Sequence, residues 1–342
     1  MELWPGAADN SWETVQDELQ TRYRGDGLPL IPPDAVRVAA MLNGRDAAAE
    51  IAMLPPGFDT ATAGDIAICA VLAGCRPACF PVLTAAVSAM ADMAFNLVGI
   101  ATTTGSAAPM LIINGPVVRQ IGLHAGGNVL GGGHPANATI GRAIGLILRN
   151  IGAAIPGETD MATLGQPAKL GCCIAENEVD SPWPPLHVER GFSPSQSVVT
   201  VVGISGSVEV NDSDSTDATG MAQTFAQSML IAGNAGGSGL LGGGEPLCLL
   251  PPEWAAALHA EGLNKAQAKE LIWERACLPA DRLAPAVQAR RRAAGNTAEA
   301  TIRIAEKADD LMIVVAGGVG RKAAYLPTWG GGTRAISREI LC

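Results

Sequence analysis

The sequence predicts an α/β fold, and three observations lead to that prediction. Apolar runs with the length of buried strands occur at Met110–Ile113, Val198–Ile204 and Leu311–Ala316. Segments with helical apolar spacing lie between them. The chain also repeats a pattern, because Pro246–Pro252 and the helical segment behind it resemble Pro109–Pro116 and its own helical segment. We therefore predict two related, intimately packed α/β halves, with glycine-rich loops converging on a central cleft.

The predicted organisation has three parts. Residues 1–60 form an N-terminal extension that packs on the body, residues 61–195 the first α/β half, and residues 196–342 the second. The length of 342 residues exceeds the usual size of a single core, which is consistent with two packed halves.

The first third of the chain is predicted to be mainly helical. A polar helix is expected around Trp12–Tyr23, and Asp34 is expected to cap a helix at Ala35–Leu42. The alanine-rich segment Asp59–Ala91 is predicted to be mostly helical. Phe95–Thr104 is predicted to be a strand that enters a threonine-rich turn.

The stretch Met110–Gly152 is predicted to be the floor of an active site. Its first strand leads into a glycine-rich loop at 126–133 and then into an apolar helix at Ile140–Ile151, which Asn137 or Thr139 is expected to cap. Strand, flexible backbone and helix in this order build ligand sites at the carboxyl ends of strands in α/β proteins.

The composition restricts the class of protein. Hydrophobic residues make up 48% of the chain and charged residues only 16%, so we expect buried subunit interfaces and a homo-oligomer. A net charge of -10 without a basic patch argues against nucleic acid. The acidic N-terminus predicts no signal peptide, and no apolar run reaches the ~20 residues that cross a bilayer. We expect a cytoplasmic protein whose eight cysteines are thiols.

Cys75 is the first candidate catalytic residue. It lies in Gly74–Pro77, a break in helical sequence that brings backbone N–H groups and the Arg76 guanidinium near the thiol. Both lower the pKa of a thiol and produce a nucleophile or redox centre, and Arg76 is a candidate substrate-binding residue. The alternative is that Cys75 is a small buried hydrophobic residue.

A second group of candidates closes the predicted strand in the segment 165–178. Strand alternation places Cys172 and Glu176 on one face and Cys173 on the other. We predict Cys173 as a second candidate thiol, and Glu176 and Glu178 as carboxylates at the carboxyl end of the strand. A carboxylate there is a general base or a metal ligand, and the alternative is a solvated turn.

The third group is His187, Glu189 and Arg190. They supply a base, an orienting carboxylate and an anion clamp within four residues, behind a stiff proline-rich loop. The alternative is a surface strand with unrelated polar residues.

Polar residues of the central stretch are the predicted substrate-binding groups, namely Asn114, Asn128, Asn137 and Arg142. Arg142 and Arg149 share one face of an otherwise apolar helix. An arginine in that position pairs with an anion, and a carboxylate of the protein is a more frequent partner than a substrate.

Familiar cofactor and metal motifs are missing. The glycine-rich loop lacks the Lys-Ser/Thr of a Walker loop and does not fit the dinucleotide fingerprint, and Cys75–Cys79 has no matching second pair. The cofactor is therefore unknown, and no metal site is assigned.

Several short segments, taken together, resemble one bacterial family. They are Ala73–Pro77, Ile113–Pro116, Gly126–Asn128, Ala136–Arg142, Cys173–Glu178 and Pro185–Gly191. Members of that family are often encoded beside small proteins with a selenocysteine/cysteine-Gly-Ser-Cys (UGSC) motif. The resemblance spans about Gly27 to Arg338 and implies a stand-alone α/β enzyme or enzyme subunit that works with a thiol or selenol partner. It carries over no reaction.

Some candidates match the motif positions of that family and others do not. The matching residues are Cys75, Asn114, Asn128, Arg142, Cys173, Glu176, Glu178, His187, Glu189 and Arg190. Cys79, Cys172 and His134 are particular to this chain, so the resemblance implies no role for them.

Three functions remain open at this point. The leading hypothesis is a cysteine-dependent enzyme that forms or cleaves a carbon–heteroatom bond, or performs a thiol-linked redox step, on a small anionic molecule. The second is a metal-dependent lyase or hydratase that uses the same Cys, Glu and His residues as ligands. The third is a non-catalytic binding subunit for a small redox protein, which would have neither a thiol of lowered pKa nor an enclosed polar pocket.

Overall fold

The fold is α/β, as predicted, and contains helices and two mixed sheets. The structure is a computed structural model that describes residues 1–7, 11–230, 244–293, 301–330 and 332–341. The α-helices in this part of the chain are α1 (Trp12–Arg22), α2 (Ala35–Leu42), α3 (Ala63–Ala73), α4 (Phe80–Met90), α5 (Leu97–Thr102), α6 (Val117–Ile121), α7 (Pro135–Asn150), α8 (Leu186–Glu189), α9 (Ala218–Met229), α10 (Pro252–Ala260), α11 (Lys265–Arg275) and α12 (Pro285–Ala293).

The strands form two four-stranded sheets and two two-stranded sheets. In chain order they are β1 (Glu50–Leu54), β2 (Asp59–Thr62), β3 (Ala108–Asn114), β4 (Cys173–Ala175), β5 (Val198–Ile204), β6 (Val208–Asn211), β7 (Leu247–Leu250), β8 (Cys277–Pro279), β9 (Thr301–Arg303), β10 (Met312–Val315), β11 (Lys322–Leu326) and β12 (Ile336–Glu339). The first sheet has the order β12-β5-β3-β4 and the second β10-β7-β11-β6. Each sheet contains one parallel pair of strands, β3 with β4 in the first and β7 with β10 in the second. All other neighbouring strands in the two sheets are antiparallel.

The two sheets pack face to face, with helices on their outer faces. Along β3, Met110 and Ile112 belong to a core cluster that also contains Leu249 of the second sheet. Leu111 and Ile113 belong instead to a cluster with α2, α3, α4 and α7. Strand side chains alternate between faces, so β3 is apolar on both because both faces are covered. A third cluster joins the second sheet to α9, α10 and α11.

Strands from the predicted second half complete the first sheet. β5 follows the predicted boundary at residue 195, yet it pairs with β3 along its whole length, and β12 pairs with β5. β6 pairs with β11 in the second sheet. The division between the sheets therefore does not coincide with the boundary in the chain, and the kinship of the two halves stays a prediction.

Several predicted elements are confirmed. α1 and α2 occupy the predicted segments, and Asp34 caps α2 by accepting a hydrogen bond from Arg37 N at 2.8 Å. β5 has the predicted bounds, Val198–Ile204. Leu19 of α1 and Leu30 belong to the same core cluster as α3 and α7. The second glycine-rich loop, 236–244, lies outside the described residues except for Gly244.

Some local predictions are wrong. The segment Phe95–Thr104 contains the helix α5 and not a strand, because Asn96 provides an N-cap that accepts a hydrogen bond from Gly99 N at 3.2 Å. α7 begins at Pro135, earlier than predicted, and neither Asn137 nor Thr139 caps it. Asp59–Thr62, at the start of the predicted helical segment, is the strand β2.

In the described part of the chain, no single helix has the length and apolar character to cross a membrane. The helices of Pro77–Met90 and Met93–Thr102 satisfy that criterion only when taken together, across a bend of 76°.

The contact of α7 with the chain entering β4 leaves no room for a side chain at Gly141. A Cβ there would lie 2.7 Å from Cys172 N, whereas at Gly145, one turn further on, it would lie 3.3 Å from Lys169 O. We predict that Gly141→Ala lowers the free energy of unfolding by about 2 kcal/mol, because the backbone must shift. Urea denaturation measures this, with Gly145→Ala as the milder control. A Gly141→Ala variant as stable as the wild type would contradict this packing.

Candidate functional site

A cleft of about 640 Å³ opens where the parallel strands β3 and β4 end. Its lining includes Pro116, Val118, Arg119, Glu176, Glu178 and Val179. Carboxyl ends of parallel strands are the usual place for ligand sites in α/β proteins. The predicted floor of the active site and the predicted acidic strand end therefore meet at one edge of the first sheet.

A single amide holds the two carboxylates together. The buried Asn114, the last residue of β3, donates from Nδ2 to Glu176 Oε2 at 2.7 Å and to Glu178 Oε1 at 3.0 Å. Glu178 Oε1 also accepts from Gly115 N at 2.7 Å, and Glu176 Oε2 from Leu186 N at 2.7 Å. Each carboxylate has two fixed donors, so its position is determined by the backbone and by Asn114.

The Asn-Gly-Pro turn after β3 explains why glycine occupies position 115. Gly115 has a φ of 85°, in the left-handed region, and an added Cβ would lie 2.2 Å from Gln196 O. Only glycine adopts this backbone conformation without strain and leaves this space free. This backbone conformation also directs the Gly115 N–H toward the Glu178 carboxylate.

Glu176 and Glu178 differ in their surroundings. Glu176 is only 2% exposed, and burial raises its pKa, although Lys265 and the hydrogen bonds from Leu186 and Asn114 act in the opposite direction. Its Oε1 atom and Asn114 Oδ1 have no hydrogen-bond partner within the described residues. Glu178 is half-buried and lines the cleft. The pair therefore combines a buried carboxyl group with one that a ligand can reach.

Two lysines of α11 approach the carboxylates of Glu176 and Glu189 from the side of the second sheet. Lys265 Nζ lies 3.8 Å from Glu176 Oε1 and 3.0 Å from Glu189 Oε2, and Lys269 pairs with Glu189 Oε1. Both lysines are buried, at 7% and 5% exposure. Burial raises the pKa of Glu189, but Lys265 and Lys269 outweigh it and the net pKa is lowered. Glu189 therefore serves as the counter-ion of two lysines.

His187 and Arg190 do not lie in a surface strand, which was the alternative to their predicted functional roles. His187 lies in the short helix α8 and is fully buried, and neither ring nitrogen has a hydrogen-bond partner among the described residues. Arg190 follows α8, pairs with Glu245 at 3.3 Å and donates to Ala335 O at 3.1 Å. Arg190 thus contacts the chain before β7 of the second sheet and the chain before β12 of the first, and it already has a protein partner.

Arg142 is likewise bound to a carboxylate of the protein. It donates from Nε and Nη2 to the two oxygens of Asp26 at 2.7 and 2.8 Å. Burial raises the pKa of Asp26, but the hydrogen bonds from Arg142 and Leu28 N outweigh it and lower the net pKa. Arg142 therefore ties the N-terminal extension to α7. Arg149 has a similar role, because it donates to Gly25 O at 2.6 Å.

The two remaining asparagines lie away from the carboxylate cleft. Asn137 bonds to both backbone groups of His124, at 2.9 Å each, and so fixes the start of the glycine-rich loop. Asn128 lines a second cleft, of about 510 Å³, beyond the carboxyl ends of β7 and β10. There the backbones of Gly127 and Gly318 touch, since a Cβ on Gly318 would lie 2.9 Å from Gly127 Cα.

The expectation of a lowered thiol pKa at Cys75 is wrong. The residue is buried, and burial raises the pKa of its thiol to about 12. Arg76, beside it, is exposed. Burial also raises the pKa of Cys173, which faces the helical layer together with Ala175, as alternation predicted. Glu176 continues the opposite face of the strand, so the Cys173 thiol and the Glu176 carboxylate do not share a site.

Three further residues belong to the site and were not predicted from the sequence, namely Arg119, Lys265 and Lys269. The two lysines carry a local signal, because they are four residues apart in a helix that Asn264 caps. Nothing in the local sequence indicates that their partners are Glu176 and Glu189. Within the described ranges, no group of three or more His, Cys, Asp or Glu side chains is arranged to hold a metal ion.

Comparison with known proteins gives no match to a family model, to a curated protein or to a solved structure. The fold and the site define an α/β protein with a carboxylate-lined cleft at one sheet edge.

Thiol reactivity can be measured directly. Because burial raises the pKa of Cys75 to about 12, we predict slow labelling of Cys75 by iodoacetamide in the folded protein at neutral pH. Of the cysteines in the described ranges, Cys277, which is only partly buried, should label first. Peptide mass spectrometry against pH reports both rates. Labelling of Cys75 before Cys277, with an apparent pKa below the ordinary ~8.5, would restore the cysteine nucleophile.

The raised pKa of Glu176 makes stability depend on pH. Below the ordinary value of 4.5, the carboxyl group is protonated in both the folded and the unfolded state, and its contribution to stability is fully present. As the pH rises, the unfolded chain ionises first, so the free energy of unfolding falls until the folded group has also ionised, by at most about 1.4 kcal/mol per pH unit.

We therefore predict that Glu176→Gln becomes progressively more stable relative to the wild type as the pH rises from 4.5. Urea denaturation at several pH values measures the difference. Glu306→Gln, at an exposed position, is the control and should follow the wild type. A difference between Glu176→Gln and the wild type that does not change with pH would count against the raised pKa.

Proposed function

We propose that the protein is an enzyme that moves a proton on a small, anionic organic substrate in the cleft beside Asn114, Glu176 and Glu178. One observation carries the proposal: a single buried amide holds two carboxylates of unequal burial, at 2.7 and 3.0 Å, at the carboxyl ends of parallel strands. Paired titratable groups whose surroundings separate their pKa values are a recurring basis of acid–base catalysis.

Glu178 is the proposed base. Its Oε1 atom receives both donors that fix the side chain, so Oε2 is available to a ligand in the cleft. The carboxylate takes a proton from a carbon next to a carbonyl or carboxylate group of the substrate. The electron pair left on carbon then expels a heteroatom from the neighbouring carbon, and the proton on Glu178 passes to that leaving group. The reverse sequence forms the carbon–heteroatom bond.

Glu176 is the proposed positioning group. It contacts Asn114 and Leu186 N and not the reacting atoms, and burial favours its protonated form. Two carboxylates so close to one amide are unfavourable when both are ionised. The two carboxyl groups therefore have different proposed roles: Glu176 positions Asn114, and Glu178 faces the cleft.

The alternatives have less support. Cys75 and Cys173 are buried thiols of raised pKa, which is unfavourable for a nucleophile. The binding-subunit hypothesis has less support because a fixed pair of carboxylates, Glu176 and Glu178, lines the cleft. A thiol or selenol partner remains a proposal that rests on the family resemblance alone.

We further propose a cytoplasmic location. The seven cysteines that the structure describes are all free, which suits a reducing compartment.

Hydrogen exchange into substrate tests the proposed base and does not require the product to be identified. The protein is incubated in D2O with a panel of small hydroxy, keto and amino acids, and proton NMR follows the loss of each C–H signal. We predict that the wild type exchanges at least one acid. Glu178→Gln should slow this exchange by about a hundredfold or more, the usual contribution of a general base.

Glu306→Gln is the matched control, because it makes the same chemical change at an exposed position outside the cleft, and it should exchange at the wild-type rate. Exchange by Glu178→Gln at the wild-type rate would exclude Glu178 as the base. A wild-type protein that exchanges no acid of the panel would contradict the proposed function.

A further inference from the structure

Arg119 is a cation of the cleft that has no partner among the residues that the structure describes. It lies in the last turn of α6 and lines the same cleft as Glu178. Its guanidinium makes no hydrogen bond or ion pair within the described ranges, and its side chain is exposed. A guanidinium presents a planar fork of donors that matches a carboxylate. The guanidinium of Arg119 is therefore free to bind the carboxylate of a ligand.

The position of Arg119 is coupled to that of the proposed base. The Gly115 N–H that binds Glu178 lies four residues before Arg119, and Pro116 between them is the N-cap of α6. Val117 N donates to Ser197 Oγ at 3.0 Å, which fixes the first turn of the helix. The carboxylate and the guanidinium are therefore held on one short stretch of chain.

Two of the arginines proposed from the sequence as anion binders are occupied, and the third, Arg76, does not line the cleft. Arg142 is bound to both oxygens of Asp26, and Arg190 to Glu245. A substrate anion that bound either of them would have to displace a protein carboxylate. Arg119 requires no such exchange.

We propose that Arg119 binds the carboxylate of the substrate and thereby sets its orientation toward Glu178. The inference rests on the proposed function and names its substrate class, a small aliphatic organic acid with a C–H bond beside its carboxyl or carbonyl group. Pro116, Val118 and Val179 line the same cleft and suit a short apolar chain. With its carboxylate on Arg119, such an acid directs its reacting carbon toward Glu178.

Ligand binding tests the assignment independently of catalysis. Calorimetric titrations use lactate, pyruvate and malate as acids, and lactamide as a neutral analogue of lactate. We expect the wild type to bind at least one acid and Arg119→Gln to bind it about tenfold more weakly, the usual effect of losing one charge-assisted hydrogen bond. Arg119→Lys should fall between them, because lysine keeps the charge but not the fork.

Arg282→Gln, at another exposed arginine, is the control and should bind like the wild type. Binding of lactamide should not depend on Arg119. Equal acid affinities of Arg119→Gln and the wild type overturn the assignment. A wild type that binds none of the three acids with a dissociation constant below about 10 mM also overturns it.

The two proposals fail in different ways. The calorimetric measurement of acid binding does not depend on C–H exchange. A loss of acid binding in Arg119→Gln would therefore support the anion site even if Glu178→Gln still exchanged C–H protons. That second result would remove the proposed base and leave the anion site in place. The expected exchange defect in Glu178→Gln together with unchanged binding in Arg119→Gln would support the proposed base and exclude the anion site.

Discussion

The hydrogen bonds of Asn114 and Glu176 are the interactions on which the carboxyl edge of the first sheet depends. Asn114 closes β3, Glu176 follows β4, and their side chains meet at 2.7 Å. Glu176 also accepts from Leu186 N, at the first residue of α8, and approaches Lys265 of α11. A buried polar group left without a partner costs about 1–3 kcal/mol, so each of these elements is held in register by the others. The cleft takes its shape from that constraint.

Charge balance explains why elements from both sheets meet at this edge. Glu176 and Glu189 come from the chain after β4, and Lys265 and Lys269 come from a helix that packs on the second sheet. Buried charges are tolerated in proteins when they are paired and hydrogen-bonded. Glu176 and Glu189 therefore depend on α11, which packs on the second sheet, for their lysine partners. This dependence makes the site a property of the packed pair of sheets.

Much of the fold follows from local sequence, because apolar runs and alternation depend on near neighbours. The bounds of β5 and the opposite faces of Cys173 and Glu176 are of this kind. Local sequence does not determine the ion-pair partners of charged residues, since Arg142 and its partner Asp26 lie 116 positions apart. Burial likewise depends on what packs above a residue, which is why the pKa of Cys75 moved opposite to the predicted direction. The strand prediction for Phe95–Thr104 was wrong because one capping asparagine outweighed the β-branched composition of the segment.

The exchange of strands between the two sheets has a consequence for biosynthesis. A ribosome makes β3, β4 and β5 long before β12, yet β12 covers the edge of β5. Until residues 336–339 emerge, that edge presents unpaired backbone groups, which invite association with other nascent chains. The first sheet therefore cannot be completed before residues 336–339 have been made. A nascent chain that contains β5 but not yet β12 is therefore expected to associate more readily than the folded protein.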